Sequence, residues 1–100
     1  MWLLLAFDLP VTTPAERKAA SQFRFGLLDD GFEMAQYSVY MRYCGSKNIA
    51  RSHIRRVSER LPKYGKVDIL QFTDKQYENI VSFDNGSRKK LKTHPQYQLL

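Results

Sequence analysis

Asp8 is the carboxylate best placed for chemistry in this 100-residue chain. It closes the apolar run Trp2-Leu3-Leu4-Leu5-Ala6-Phe7 and precedes Leu9-Pro10, so the side chain falls at the carboxyl edge of a strand, near the start of a helix. An Asp in that position more often caps or closes a turn than reacts. A single carboxylate is also too little for a closed metal site, although Mg²⁺ commonly takes only one or two carboxylates beside water and phosphate oxygens. A two-fold dimer would supply the second from its partner chain. The other reactive side chains are poorer candidates. His53 lies among arginines and His94 near the end of the chain, and solvated surface positions are expected for both. Cys44 has no neighbouring base and reads as a small buried residue.

The second chemical feature is a block of positive charge. From Arg42 to Lys66 the chain holds eight basic residues (Arg42, Lys47, Arg51, Arg55, Arg56, Arg60, Lys63 and Lys66) against one acid, Glu59, a net +7 in 25 residues. In a helix, Lys47, Arg51 and Arg55 flank the apolar stripe on one side and Arg56 and Arg60 on the other. Guanidinium forks match phosphate oxygens, and charges this dense repel unless a polyanion neutralises them. The plain alternative is a solvated helix face; the near absence of interleaved acids counts against it. No glycine-rich phosphate loop and no base-stacking aromatic signature of the RNP kind is present, so sequence-specific readout is not expected.

These groups need a scaffold, and the composition allows one. Hydrophobic residues form 43% of the chain and charged residues 26%, which suits one folded domain. Sixteen Lys and Arg against ten Asp and Glu give +6 at pH 7, which makes a phosphate-rich partner the first suspect. A lone cysteine cannot form an internal disulfide, so a reducing, cytoplasmic setting is the expectation. Seven apolar residues at the N-terminus cannot span a bilayer, and no membrane association is expected. Residues 2–7 read instead as a central strand buried on both faces.

Thr13-Pro14-Ala15-Glu16 combines an N-cap, a proline in the first turn and a capping-box Glu, and so starts a helix. Its expected buried stripe is Ala15, Ala19, Phe23 and Leu27, with Phe25 and Leu28 left exposed for a partner subunit, and Asp29-Asp30-Gly31 ends it. Residues 32–43 read as β structure, with a short hairpin turning near Gln36-Tyr37 preferred over one bent strand. Residues 46–61 form a second helix on Ala50, Ile54, Val57 and Leu61, followed by a strand at 66–72 and a capped turn at Thr73-Asp74-Lys75-Gln76. A short strand is expected at 80–83 and a loop at 84–87 before Arg88-Lys89-Lys90. The order is that of an α+β, ferredoxin-like βαββαβ sandwich, residues 1–83, with a basic loop and C-terminal extension over 84–100. The apolar end of that extension, Tyr97 to Leu100, suits a tail that docks on a dimer partner.

Three segments resemble a known family: Phe7-Asp8-Leu9-Pro10, the helix with Glu16-Arg17-Lys18 and Phe23-Arg24, and Gly31 to Tyr40 with its Gln36-x-Ser-Val-aromatic element. Together with Thr73 to Tyr77 and the closing Gln-Leu-Leu, they resemble the small CRISPR-associated endoribonuclease family called Cas two, in wording closest to members from type II systems. The resemblance implies a homodimer that bridges two dimers of the CRISPR integrase during spacer acquisition and lies against prespacer double-stranded DNA. It also implies a metal-dependent nuclease, cleavage of single-stranded RNA or double-stranded DNA being attributed to some members. By that likeness Asp8 is the metal-binding and candidate catalytic residue, paired with its symmetry mate around one Mg²⁺. Arg17, Ser38 and Tyr40 match positions near the dimer cleft, as does Phe7, although Phe7 stands where Tyr is common and Tyr40 where Phe is common.

Two readings follow. In the first the chain is a structural adaptor that grips DNA through Arg17, Arg24, Lys47, Arg51, Arg55, Arg56, Arg60 and Lys63 while the integrase does the chemistry. In the second it is a Mg²⁺-dependent phosphodiesterase acting through paired Asp8 residues. The poverty of acidic ligands favours the first.

Overall fold

The computed structural model describes residues 1–84 and, for the backbone alone, 87–89. The chain runs β1 (Trp2–Asp8), α1 (Pro14–Asp29), β2 (Glu33–Gln36), β3 (Val39–Tyr43), α2 (Lys47–Glu59), β4 (Lys66–Phe72), α3 (Asp74–Glu78), β5 (Ser82–Asp84) and β6 (Ser87–Lys89). The first four strands form one sheet in the order β2-β3-β1-β4. Every pairing in it is antiparallel, as the βαββαβ connection requires when each helix crosses back over the sheet. The fold is therefore ferredoxin-like, completed at β4.

Local sequence explains each boundary that matters. Thr13 accepts from the Glu16 N–H at 3.1 Å while the Glu16 carboxylate accepts from the Thr13 N–H at 2.8 Å, so α1 opens on a full capping box. The hairpin between β2 and β3 is real, and it turns without Gly or Asn because Ser38 itself takes the left-handed conformation, at φ 63°. Few residues other than Gly tolerate that region, and a short polar side chain does so at least cost.

One face of β1 carries Leu3, Leu5 and Phe7, all buried under Ala20, Phe23 and Leu27 of α1 and Ala50 and Val57 of α2. The opposite face carries Trp2, Leu4 and Ala6, which are only half-buried. The expectation of a strand buried on both faces is thus corrected: within one chain the helices cover one face. Across the sheet the cross-strand partners Leu4–Met41, Leu4–Leu70 and Ala6–Val39 extend that second face into an apolar surface, with Leu70 49% exposed. Its far end is roofed by α3, where Tyr77 stacks on Trp2 at 3.8 Å between ring centroids.

Three further expectations are corrected. The buried stripe of α1 is Ala20-Phe23-Leu27, with Ala19 half-buried and Ala15 exposed, because a three-then-four spacing keeps closer to the 3.6-residue turn than an unbroken run of fours. Leu61 is exposed because α2 ends at Glu59, and the stripe position it was expected to continue no longer exists. The strand expected at 80–83 is β5, which pairs with β6 in a separate two-stranded sheet where a loop was expected. The docking tail expected at the C-terminus falls outside the described residues from 90 onward.

Gly65, in the turn before β4, sits at φ +101°, where an added Cβ would lie 2.6 Å from the Asp8 carbonyl oxygen and 2.8 Å from Leu9 Cδ2. Close approach and backbone sign both demand glycine. Gly65→Ala is expected to cost about 1–3 kcal/mol, read as a lower midpoint in thermal unfolding by circular dichroism.

Candidate nucleic-acid and metal interface

The open sheet face determines what surrounds Asp8. Side chains alternate along β1, so Asp8 shares its face with Leu4 and Ala6, and its carboxylate stands exposed at the strand's end. Its direct cross-strand neighbour is Lys66, and Asp68, paired with Ala6, lies diagonally across. Lys66 Nζ meets Asp68 Oδ2 at 3.5 Å, whereas Asp8 has no ion pair among the described residues. An available carboxylate at the rim of an apolar face is therefore what the strand presents.

Ser38 reaches the same end of the sheet: its carbonyl accepts from the Phe7 N–H at 3.1 Å. Phe7 and Tyr40 do not share the face of Asp8. Both are buried on the helix side, where Phe7 stacks on Tyr40 at 5.6 Å and meets Phe23 edge-on at 5.3 Å. Their aromatic character serves the core there.

The eight basic residues expected to grip DNA separate into two groups once their partners are known. Five are engaged within the chain. Arg17 Nη1 donates to the Val11 and Thr12 carbonyls at 3.2 and 3.0 Å, closing the loop after β1. Arg60 Nη1 donates to the Gly26 carbonyl at 2.8 Å and ties the end of α2 to α1. Arg24 lies over the rings of Phe7 and Tyr37, and Lys63 over Tyr64 at 5.4 Å. Arg56 Nε pairs with Asp30 Oδ1 at 2.9 Å. The remaining three, Lys47, Arg51 and Arg55, are exposed, and their side chains have no hydrogen bond or ion pair with any described residue. Their spacing of four puts them in one row along α2, about 12 Å long at 1.5 Å rise per residue.

The Asp30 cluster holds that helix in place and corrects the expectation of a solvated His53. His53 is 4% exposed, with Nδ1–H donating to Asp30 Oδ2 at 2.7 Å and its ring edge-on to Phe32. Arg42 Nε donates to the Asp30 carbonyl at 2.8 Å, so one residue joins α1, β3 and α2. Burial without a charged partner would be costly; here the carboxylate supplies the partner. Cys44 is buried as expected, and that burial pushes its thiol pKa up, away from nucleophilic use. Among the described residues no three His, Cys, Asp or Glu side chains gather into a metal-holding group.

The family model for CRISPR associated protein Cas2 matches residues 1–80. The chain belongs to the Cas2 family. It is 53% identical over 95 residues to the CRISPR-associated endoribonuclease Cas2 of Paracidovorax avenae, covering 95% of this chain and 88% of that protein. Against the protein of the same name from Flavobacterium psychrophilum it is 51% identical over 77 residues, covering 77% of this chain and 67% of that one. The crystal structure of Streptococcus pyogenes Cas2 at pH 6.5 superimposes with a TM-score of 0.64 at 18% identity, over 84% of this chain and 100% of that one. At that identity the likeness concerns the fold, and it agrees with the ferredoxin-like sheet of this Cas2 chain. No described helix is long and apolar enough to cross a membrane.

Proposed function

We propose that this Cas2 chain acts as a homodimeric scaffold that holds prespacer double-stranded DNA and bridges the CRISPR integrase during spacer acquisition. The observation that carries the reading is the row Lys47-Arg51-Arg55, three cations left without a partner among the described residues while the other five candidates have one. Cations that fold the protein are spent on carbonyls, rings and Asp30; those that do not are free to displace counterions from a phosphate backbone. The apolar sheet face around Leu4, Met41 and Leu70 supports the dimer, since a face of this kind is usually buried against another layer. A two-fold axis across it would double the basic row and bring the two Asp8 residues toward each other.

A second reading has an observation of its own, the exposed Asp8 with no ion pair among the described residues, and the relatives carry the name endoribonuclease. One chain alone does not fit a Mg²⁺ ion: Asp8 is a single donor, and Asp68 is drawn to Lys66. Two Asp8 carboxylates across a dimer do fit an ion that keeps most of its water. Such an ion would polarise a phosphoryl oxygen and sharpen a bound water as nucleophile. The protein's part is then to hold Asp8 rigid, through the seven-residue pairing of β1 with β4 and the close-packed Gly65 turn.

Asp8→Asn separates the readings. As an isosteric change on an exposed side chain it is expected to leave dimer mass and duplex affinity within about twofold by sedimentation and fluorescence anisotropy. If Mg²⁺-dependent cleavage of RNA or DNA is present in the wild type and vanishes in the variant, Asp8 is a catalytic ligand. A variant that loses duplex affinity contradicts the separation of grip and carboxylate.

A further inference from the structure

Tyr37 is the most exposed large apolar-bodied side chain of the described residues, at 77%, yet it is not loose. The Arg24 guanidinium carbon lies 5.1 Å from its ring centroid, and Arg24 Nη2 reaches the Tyr37 hydroxyl at 3.5 Å. The same guanidinium sits 5.8 Å from the ring of Phe7, so a cation joins a core aromatic to a surface one. Tyr37 precedes Ser38, whose left-handed backbone fixes the turn and whose carbonyl is hydrogen-bonded to β1 one residue before Asp8. A large ring is thus held from one side by a cation at the end of the sheet where Asp8 stands.

We infer that Tyr37, backed by Arg24, is a stacking seat for an unpaired base of a single-stranded nucleic acid, at the end of the sheet where Asp8 stands. The inference rests on the nucleic-acid reading above and extends it to single strands. An aromatic face accepts any base, because every base has a π face, and the adjoining cation attracts the backbone. A paired base inside a duplex cannot reach the ring without leaving its stack. The row on α2 therefore serves phosphates of either form, whereas the Tyr37 seat serves single strands alone. Such a site carries little sequence preference, in keeping with the sequence-independent readout expected from the sequence.

The test compares wild type, Tyr37→Ala and Tyr37→Phe for anisotropy-measured affinity toward a short oligothymidylate and toward a closed dumbbell duplex without free ends. Tyr37→Ala is expected to weaken oligothymidylate binding about 5- to 150-fold. Its dumbbell binding should stay within about twofold, and Tyr37→Phe should keep both, since the ring remains. An exposed turn residue leaves the fold intact, which the unchanged dumbbell affinity itself reports. Unchanged oligothymidylate binding by Tyr37→Ala, equal loss on both ligands, or loss in Tyr37→Phe overturns the seat while leaving the scaffold reading in place. Wild-type protein that binds neither ligand overturns both.

Discussion

Replacing Lys47, Arg51 and Arg55 together by Gln is expected to lower duplex affinity about 100-fold near physiological salt. For each row engaged on the duplex, three phosphate contacts at a slope of about 0.9 each in log affinity against log salt give that figure, and the salt slope itself should fall by roughly 3 per row. Reversal to Glu should abolish binding. The partners of each cation decide which residues belong in this experiment. On charge alone Arg56 is as good a phosphate ligand as Arg51 or Arg55, but its Nε is paired with Asp30. Reversing Arg56 would set two like charges at 2.9 Å and damage the fold, so a loss of binding would say nothing about contact with DNA. The row of three is free of that ambiguity: all are exposed, and the helix continues through them. Titrations at several salt concentrations, by anisotropy, measure both quantities. Unchanged affinity and slope would remove α2 from the interface.

Asp30→Ala should be the most destabilising single change on the polar side of the protein, by about 1–3 kcal/mol, since it leaves buried His53 without its acceptor. For a domain of this size that lowers the thermal midpoint by roughly 4 °C or more. The Asp30 side chain is 10% exposed and that of His53 4%, so solvent does little to replace the lost pair. Arg56, 44% exposed, loses less and turns to water. A thermal melt followed by far-UV circular dichroism reads the effect; a midpoint within about 3 °C of wild type would show the cluster to be incidental.

Legibility in the sequence varied with the range of the interactions involved. Features decided within one turn or one strand were readable. The Thr13–Glu16 capping box, the apolar run of β1 ending in Asp8 and the order of elements all follow from neighbours in sequence. The hairpin at Tyr37-Ser38 was readable in outline although its turn has no glycine. The resemblance carried by Asp8 and by Gln36 to Tyr40 pointed to the family that the comparisons show.

What escaped depends on residues far apart. His53 among arginines looks solvated; its burial is decided by Asp30, 23 residues earlier and itself read only as a helix stop. Arg17, Arg24, Arg56 and Arg60 cannot be told from Arg51 by type, since their carbonyl, ring and carboxylate partners come from α1 and its C-cap, its preceding loop, the core and the hairpin turn. The exposure of Tyr37 had one local signal, its position at the tip of the β2–β3 hairpin, but its fixing by Arg24 had none. The second face of β1 reads as core in the sequence and is half-open in the chain. The partner layer proposed above would reconcile the two, since residues buried in a dimer look the same in sequence as residues buried in a monomer.

The scaffold reading is tested most directly by measuring mass in solution, by sedimentation equilibrium, of the protein alone and with a short duplex at low and high salt. The expected result is two chains per particle without DNA at both salts, and two chains on the duplex at low salt that dissociate from it, still as a dimer, at high salt. A single chain at every protein concentration, or a duplex complex indifferent to salt, would contradict it.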